Sequence, residues 1–451
     1  MKICTRILDL SETAVKALLT EVMAEFDDRH HKIHDFLKRR FEYARRWLPN
    51  GRNLSEERQL LIGACFSHEY SFEAAALFNP SIVPHPDQSD LAPGSLRFIM
   101  SLRATGEGHI SSITFRSGVL DAQGGMKIVE PTRHNLEPAQ APNASYEKNI
   151  FERKLRELGL IGDLSRRLIQ ELGDTFTLRE LRERLSLTEE QMNAQDQETG
   201  SVARKILTLA QSNYEVQFEE DSRVSERVLF PAVPSQSNGI EDARFVHFHN
   251  EDGTGTYYAT YTAYDGRLIL PQFIATPDFL HFKFVTLNGQ AVQNKGMALF
   301  PRKINGQFAM LSRQDYENIY IMFSDHLHFW DSAQLLLKPA SPWEYIQMGN
   351  CGSPIETEAG WLVISHGVGP MRKYCIGAFL MDRDDPTKVI GRLREPLIKP
   401  DGSEREGYVP NVVYSCGSLV HQGLLVIPYA MSDYGTTCAT VPLSEVIAAM
   451  E

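Results

Sequence analysis

Three charged residues stand close together in the segment Gly239-Ile-Glu-Asp-Ala-Arg244. Glu241 and Asp242 offer adjacent carboxyl groups, and Arg244 offers a guanidinium two residues further along. A carboxyl group can give or take a proton in a reaction, and a nearby arginine can stabilise its charge or bind an anion. The same pattern is common in structural ion pairs, so the segment alone is compatible with both interpretations.

Further polar residues follow turn glycines at a similar distance in several parts of the chain. The runs Gly360-Trp-Leu-Val-Ile and Gly423-Leu-Leu-Val-Ile each begin with a glycine and continue with the composition of a β-strand. Related runs start at Gly255 and Gly306, so that successive turn glycines lie 51, 54 and 63 residues apart. The polar residues six or seven positions after these glycines are Tyr261, Ser312, Arg313, His366 and Tyr429.

A repeat of about 50 residues, with several short strands in each unit, is typical of β-propeller blades. Residues 243–447 contain four such units, and residues 96–129 have the composition of a fifth. We therefore predict an all-β fold, a five-bladed β-propeller. Residues at equivalent places in different blades would then converge at the central axis, where an arginine, a histidine and two tyrosines would suit an anion or a sugar.

Two helical additions interrupt the β pattern. In residues 11–48 the apolar residues recur at spacings of three and four after Ser11, which suits an N-cap. Residues 145–212 show a similar spacing with interleaved charges of both signs, and Thr177 suits a further N-cap. We expect the second addition either to pack on the β core or to serve as an arm for homo-oligomer formation.

These patterns predict the domain organisation. Residues 1–60 would form an N-terminal helical extension, and residues 61–451 would form the catalytic β-propeller domain. The helical segment at about 145–212 would be an insertion in that second domain. The fold class is thus an all-β propeller with N-terminal helices and an inserted helical segment.

The composition excludes several classes of function. The chain has 451 residues, with 46 basic and 58 acidic ones, and a net charge of -12, which argues against nucleic acid and anionic membranes as partners. No apolar run approaches the roughly 18 residues of a membrane span, and the first twenty residues do not resemble a signal peptide. We therefore expect a cytoplasmic protein. The six cysteines form no CxxC pair, so no metal site is expected.

Several motifs, taken in chain order, resemble those of glycoside hydrolase family 130. They are Asn79-Pro80, Glu241-Asp-Ala-Arg244, Tyr258-Ala-Thr-Tyr-Thr-Ala-Tyr-Asp-Gly266, Ala298-Leu-Phe-Pro301, Lys303-Ile-Asn-Gly306, Gly360-Trp-Leu-Val-Ile-Ser-His-Gly-Val368, Tyr374-x-Ile-Gly-Ala378, Asp384-Asp-Pro386 and Val409-Pro-Asn-Val-Val413. The resemblance implies a five-bladed propeller with its site on the axis. It also implies one of two activities with inversion, that of a mannoside phosphorylase or of a β-mannosidase.

The resemblance also implies roles for individual residues. Asp242 would be the general acid, acting through the 3-hydroxyl of the mannosyl unit, which relays a proton to the glycosidic oxygen. Inorganic phosphate would then attack the anomeric carbon from the other face. The residues that suit the phosphate are Lys295, Arg313, His366 and Tyr374. Those that suit the sugar hydroxyls are Asn79, Arg97, Arg244, Asp265 and Asp433.

The sequence departs from the family pattern at two charged positions. Arg302 stands where the family often has an acid, and Glu356 stands where many phosphorylases have a basic or neutral residue. A carboxylate near the phosphate position would repel phosphate and could activate water instead. An inverting hydrolase needs such a base. The alternative is therefore a β-mannosidase that uses Glu356 or Glu406.

The leading hypothesis is an inverting glycoside phosphorylase. It would cleave β-mannosides in mannose-containing oligosaccharides with inorganic phosphate and release α-mannose 1-phosphate. Phosphate is itself the nucleophile, so the enzyme would need cationic ligands rather than a second carboxylate, and no cofactor. A third reading is a non-catalytic propeller that binds a glycan.

Overall fold

The computed structural model describes residues 2–48, 53–140, 145–191, 197–266, 269–402 and 404–451. They divide into two compact units. The smaller comprises Met1–Ser71 with Pro131–Leu136, and the larger comprises Phe72–Glu130 with Glu137–Glu451. Within the described ranges, no helix is long and apolar enough to cross a membrane. All six cysteines are free thiols.

The smaller unit is helical. Its helices are α1 (Lys2–Leu8), α2 (Glu12–Phe26), α3 (Ile33–Ala44) and α4 (Glu56–Cys65). Ser11 caps α2 as predicted, since its side chain accepts a hydrogen bond of 3.2 Å from the backbone N–H of Ala14. The helical stretch predicted at residues 11–48 contains two separate helices, α2 and α3. The chain leaves the helical conformation after α2, and Lys32 adopts a left-handed φ of 53° just before α3.

The larger unit is built mainly from antiparallel sheets. The first sheet contains β1 (Ala76–Pro84), β2 (Leu96–Thr105), β3 (Ser111–Leu120), β4 (Met126–Ile128) and, added to β3, β9 (Val228–Leu229). The second contains, in spatial order, β10 (Ile240–His249), β11 (Gly255–Tyr264), β12 (Ile269–Thr276), β13 (His281–Thr286), β8 (Tyr214–Gln217) and β5 (Ala139–Gln140). The third contains β14 (Ala298–Leu299), β15 (Phe308–Ser312), β16 (Ile319–Ser324) and β17 (Gln334–Leu337).

Two more sheets follow towards the C-terminus. The fourth contains β18 (Gln347–Asn350), β20 (Gly360–Gly369), β21 (Lys373–Met381), β22 (Val389–Arg392) and, added to β20, β19 (Ile355–Thr357). The fifth contains β23 (Val413–Tyr414), β25 (Leu424–Met431), β24 (Leu419–His421) and, added to β25, β26 (Gly435–Pro442), and it is followed by α9 (Leu443–Ala448). The turn glycines Gly306 and Gly423 have positive φ of 82° and 76° and stand two residues and one residue before the first residues of β15 and β25, as their spacing predicts.

Hydrogen bonds link each of these sheets to the next one along the chain, and the fifth to the first. The links, from the first sheet onwards, are Phe245 N to Ser81 Oγ at 3.0 Å, His249 N to Pro301 O at 2.8 Å, Met348 N to Glu317 O at 2.9 Å, Tyr374 N to Asn411 O at 3.0 Å and Cys416 N to Pro80 O at 2.8 Å.

The helical segment of the larger unit has an apolar core of its own. It contains β6 (Ser145–Glu147), α5 (Lys148–Glu157), α6 (Asp163–Glu171), β7 (Thr175–Thr177), α7 (Leu178–Gln191) and α8 (Gln197–Gln211). Phe151, Leu168 and Ile206 from three of these helices are buried in one cluster. Thr177 caps α7 as predicted, since its hydroxyl accepts from Glu180 N at 3.3 Å while its own N–H donates to the Glu180 carboxylate at 2.7 Å.

Candidate active site

Two β-bulges bring Asn79 and Asp242 together. The strand register shifts at Asn79 in β1 and at Asp242 in β10, and both residues adopt a left-handed φ, of 51° and 53°. A bulge turns a side chain away from its ordinary place in the strand, and Asn and Asp tolerate this φ better than most residues. The Asn79 amide donates a hydrogen bond of 2.7 Å to Asp242 Oδ1. Two residues that lie 163 positions apart thus form the centre of the site.

A line of alternating charges runs through this centre. Arg103 donates from Nη2 to Glu241 Oε1 at 2.7 Å, and its Nη1 lies 3.6 Å from Asp242 Oδ1. Lys295 Nζ lies 3.7 Å from the other oxygen of Glu241. Glu241 therefore holds the two cations in place beside Asp242. Sequence reasoning missed Arg103.

Arg97, predicted to bind sugar hydroxyls, does not reach this cluster. Its guanidinium binds the carboxylate and carbonyl of Asp87 and the carbonyl of Ser89, in the loop between β1 and β2. Arg103 is six residues further along β2, which corresponds to about 20 Å in a strand. Because Phe78 pairs with Arg103, it is Arg103 that lies beside Asn79, and it replaces Arg97 in the site.

Arg244 is buried behind the catalytic candidate. It is 2% exposed, and it donates to the carbonyl of Asp242 at 2.9 Å and to the Tyr414 hydroxyl at 2.7 Å. Burial opposes its charge, but the electrostatic influence of Tyr414, Cys416 and Asp242 keeps the pKa of Arg244 above its usual value. The contacts of Arg244 indicate that it positions Asp242, rather than binding a sugar hydroxyl. Tyr414 is a further residue that sequence reasoning missed.

Arg313 and His366 form a buried pair. Their exposures are 8% and 3%, and Arg313 Nη1 donates to His366 Nε2 at 3.4 Å. Burial, reinforced by the nearby charges of Arg313 and Arg244, lowers the pKa of His366 well below its usual value. His366 is therefore neutral and contributes a hydrogen-bonding ring rather than a charge. Gly349 makes room for it, since a Cβ there would lie 2.5 Å from His366 Cε1.

Tyr374 lies against the same imidazole. Its ring stacks on His366 with a centroid distance of 5.9 Å and an interplanar angle of 15°. The Tyr374 hydroxyl accepts a hydrogen bond of 3.1 Å from the Gln347 amide, which fixes the hydroxyl at the edge of the pair. The structure therefore brings together three of the four residues predicted to bind phosphate. The fourth, Lys295, lies within electrostatic reach, since its charge also acts on His366.

The pKa values of two acids in the site are shifted in opposite directions. Burial raises the pKa of Asp242, but the cations Arg103, Arg244 and Lys295 outweigh it, so the net pKa lies below the usual value. Burial and the charge of Asp242 raise the pKa of Asp433 to about 6. Asp433 therefore lies within electrostatic reach of Asp242, and the two carboxyl groups differ in their affinity for a proton, as acid and base pairs in active sites often do.

Asp265 directly follows β11. Thr262 pairs with Glu241 across β10 and β11. Asp265 is three residues beyond Thr262, about 10 Å along a strand. It lines a cleft of about 1160 Å³ between the helical segment and the second sheet. The contact of Asp265 with sugar hydroxyls stays a prediction.

Glu356 is not brought to the cluster. Glu356 accepts two hydrogen bonds from Arg302, at 2.9 and 2.7 Å, and its strand partner is Trp361. Trp361 precedes His366 by five residues on β20, which corresponds to about 17 Å. The hydrogen bonds from Arg302 also lower the pKa of Glu356, which weakens it as a base. Glu406 is exposed.

The donor set suits an anion rather than a metal ion. No group of three histidine, cysteine or acidic side chains that could hold a metal occurs among the residues that the structure describes. The acids of the cluster instead face cations: Glu241 contacts Arg103 and Lys295. Arg313 makes no ion pair with any described carboxylate, so its charge is available to a ligand.

Comparison with known proteins identifies the family. The family model for glycoside hydrolase family 130, described as beta-1,4-mannooligosaccharide phosphorylase, matches residues 195–451. The chain belongs to glycoside hydrolase family 130. A 1,2-beta-oligomannan phosphorylase of Thermoanaerobacter sp. (strain X514) is 37% identical over 219 residues, covering 47% of this chain and 71% of that protein. A beta-1,2-mannobiose phosphorylase of Listeria innocua is 30% identical over 230 residues, covering 49% and 63%.

Solved structures of glycoside hydrolases share the fold of this family 130 chain. A Parabacteroides distasonis structure described as that of a glycoside hydrolase covers 82% of this chain and 87% of its own, with 17% identity and a TM-score of 0.50. A beta-1,2-mannobiose phosphorylase from Listeria innocua, in complex with beta-1,2-mannobiose, covers 83% and 92%, with 20% identity and a TM-score of 0.49. Helices α5, α6 and α7 precede the residues that the family model matches.

Proposed function

We propose that this protein is an inverting glycoside phosphorylase that cleaves β-mannosides with inorganic phosphate and releases α-mannose 1-phosphate. The observation that carries the proposal is the buried guanidinium of Arg313, whose closest polar partner is the neutral His366. A buried charge without a counter-ion is costly, so an anion that completes this site would stabilise it. The relatives named as mannoside phosphorylases support phosphate as that anion.

The phosphate would bind between Arg313 and Lys295, with a hydrogen bond from the Tyr374 hydroxyl, and His366 Nε2 would hold the Arg313 guanidinium in place by accepting from it. Arginine binds phosphate oxygens in a bidentate manner, and lysine contributes a compact charge. The ligand brings its own nucleophile, so the reaction needs no base to activate water and no cofactor.

Asp242 would supply the proton through the 3-hydroxyl of the mannosyl unit. In the free enzyme the surrounding cations hold the pKa of Asp242 below its usual value, so the carboxyl group is ionised. A bound phosphate adds negative charge beside Lys295 and offsets its influence, which raises the pKa of Asp242. Binding of phosphate would therefore prepare the acid for proton transfer.

The mannosyl unit would lie over Asn79 and Asp433, with Asp265 beside the leaving sugar. All three side chains offer oxygen atoms that accept hydrogen bonds from hydroxyl groups. Arg103 would take the place that the sequence resemblance implies for Arg97, because Arg103 is the arginine that contacts Asp242.

We also propose that the five larger sheets are the blades of a propeller with this site on its axis. The hydrogen bonds from each sheet to the next, and from Cys416 of the fifth region to Pro80 of the first sheet, support this arrangement. The main site residues come from four of the sheets and from loops between them, as an axial site requires. The proposal also includes a cytoplasmic location and a homo-oligomeric contact through the helical segments. Both are suggested by the sequence.

The alternative, a β-mannosidase, needs a base for water. The ion pair of Glu356 with Arg302 and its distance along β20 from His366 favour phosphorolysis over this alternative. The non-catalytic alternative does not explain the buried, unpaired charge of Arg313, because a neutral glycan supplies no counter-ion.

The decisive experiment compares turnover with and without phosphate. The protein is incubated with β-1,2-mannobiose and, separately, β-1,4-mannobiose, and mannose 1-phosphate and free mannose are measured. We expect mannose 1-phosphate only when phosphate is present, and NMR should show the α-anomer. The D242N variant should lose roughly 10²–10⁴-fold of the rate. Free mannose formed at the same rate in phosphate-free buffer would instead establish the hydrolase.

A further inference from the structure

A cleft beside the candidate site has the helical segment as one wall. Leu158, which follows α5, and Lys205 and Thr208 of α8 line this wall, and Ile269 and Pro271 of β12 line the opposite one. The volume of about 1160 Å³ exceeds that of most pockets for a single small molecule, which span roughly 300–1,000 Å³. Leu158 and Ile269 are 43% and 39% exposed, so apolar surface faces the cleft from both sides.

The inner end of the cleft meets the phosphate and sugar residues. Asn294, which lines the cleft, donates from Nδ2 to the carbonyl of Arg313 at 2.8 Å and directly precedes Lys295. Its Oδ1 is buried and has no hydrogen-bond partner among the described residues. Asp265 lines the same cleft. The cleft lining therefore includes Asp265 of the candidate site and the residue that precedes Lys295.

The helical wall is attached to the sheet at this edge. Lys154 of α5 donates to the carbonyl of Leu287 at 2.9 Å, and burial lowers the pKa of Lys154. After α8, Asn213 Oδ1 accepts a hydrogen bond of 2.9 Å from Thr286 N. Both attachments lie at the end of β13, where the cleft begins. The wall is thus held in a fixed place relative to the site.

The lining suits a neutral ligand with many hydroxyl groups. Arg153 is paired with Asp331, and Lys154 with Glu157, so most of the lining charges neutralise each other. The lining further offers amides, hydroxyls and apolar side chains, which match the hydroxyl groups and the C–H faces of sugars. Lys205 is exposed and makes no ion pair with any carboxylate that the structure describes.

We propose that this cleft binds the sugar units on the acceptor side of a mannooligosaccharide, and that the helical segment thereby sets a preference for longer substrates. The inference rests on the proposed function, since it extends the same site outwards. Lys205 would donate hydrogen bonds to hydroxyl groups of the outer sugars, and Ile269 would pack against their C–H faces. Leu158 precedes the residues that the family model matches, whereas Lys205 and Ile269 lie within them.

The test compares substrates of different length in variants of the cleft. For each variant, kcat/KM is measured with a mannobiose and with the mannotetraose of the same linkage, at saturating phosphate. Loss of a hydrogen bond from a charged donor should lower the tetraose-to-biose ratio about tenfold in K205E. Ile269→Ser, which removes apolar surface from the cleft, should lower the same ratio. R204E changes the same charge on the same helix, but Arg204 does not line the cleft, so its ratio should equal that of the wild type.

Titration calorimetry in phosphate-free buffer separates this inference from the proposed function. The wild type should bind the tetraose more tightly than the biose, and K205E should lose that difference. Equal affinities and equal kcat/KM for both lengths in the wild type would overturn the cleft proposal while leaving phosphorolysis intact. If no mannoside is phosphorolysed but the length-dependent affinity is present and is lost in K205E, the proposed function fails and the cleft stands.

Discussion

Arg97 and Arg103 project from the same face of β2, because they are separated by an even number of residues. Their contacts nevertheless differ: Arg97 binds Asp87 in a loop, whereas Arg103 lies between Glu241 and Asp242. The local sequence does not show which of the two arginines reaches the site. Only the pairing of β1 with β2, which sets Arg103 opposite Phe78, decides which arginine serves the site.

Replacing each arginine in turn tests this assignment. R103A should lower kcat/KM about 10²-fold, because Asp242 would lose a cationic partner beside the reacting bond. Hydrogen bonds to charged groups are worth about 1.5–3 kcal/mol each. R97A should stay within about threefold of the wild type, because its contacts remain within the loop. A larger loss in R97A than in R103A would reverse the assignment.

Asp433 provides a pH-dependent prediction. Its pKa of about 6 exceeds the unfolded value of about 4. The folded protein therefore binds this proton more tightly than the unfolded chain does. The ionised carboxyl group then destabilises the fold above about pH 6, and this cost disappears as the pH falls below about 4.

The variant D433N removes this ionisation while keeping a side chain that tolerates a left-handed φ. We expect its melting temperature to exceed that of the wild type by about 1–3 °C at pH 7.5, and the difference to shrink at pH 4.5. Differential scanning calorimetry in phosphate-free buffer measures both values. An equal difference at the two pH values would show that Asp433 has no raised pKa.

At the scale of elements, the register of β20 separates the two proposed chemistries. One part of the strand carries His366 towards the cluster, and another pairs Trp361 with Glu356. The guanidinium of Arg302 lies 5.0 Å from the Trp361 ring centroid while it binds Glu356, so this carboxylate has a structural partner.

Glu356→Gln should therefore leave phosphorolysis within about threefold of the wild type, with a modest loss of stability from the half-exposed ion pair. The assay is the rate of mannose 1-phosphate formation, and Glu358→Gln serves as the matched control at an exposed acid. Free mannose is measured in parallel, and a loss of roughly 10² or more in its formation in E356Q alone would support a base for water and hence the β-mannosidase.

Local sequence predicted the elements better than their distortions. The caps at Ser11 and Thr177 and the turn glycines before β15 and β25 follow from local hydrogen bonding and φ preferences, which depend on a few neighbouring residues. The bulge at Asp242 depends on how β10 packs against β1, which no local pattern encodes. The Glu-Asp-x-Arg motif therefore indicated the acid, whereas Arg103 and Tyr414 became visible only in three dimensions.

At the scale of the whole molecule, a buried cation without a counter-ion makes stability depend on a ligand. Phosphate that binds the folded protein alone should stabilise it by about 2.7 kcal/mol at a hundred times its dissociation constant. For a protein of this size we expect the melting temperature to rise by about 2–4 °C. Sodium chloride of equal ionic strength should have a smaller effect.

Arg313→Gln should abolish most of this rise, whereas Arg302→Gln should retain it, because Arg302 already has a carboxylate partner. Thermal unfolding of both variants across a phosphate series measures the difference. An equal rise in the wild type and R313Q would place the phosphate elsewhere.

The repeat of about 50 residues anticipated the β units because each blade-like sheet needs a similar number of short strands. The cleft beside the helical segment had no such signal. It arises because Lys154 and Asn213 attach helices to the end of β13, and a contact between distant segments leaves no periodic trace in the sequence.

Asn79, Asp242 and Asp433 share a left-handed backbone, with φ of 51°, 53° and 51°. Glycine adopts this conformation at a lower cost than any other residue. The difference is about 1 kcal/mol at each position. A programme of directed evolution that rewards heat resistance alone would therefore favour glycine at these three positions. Such a programme would accumulate robust but inactive proteins, so any screen for industrial stability should score turnover in the same round.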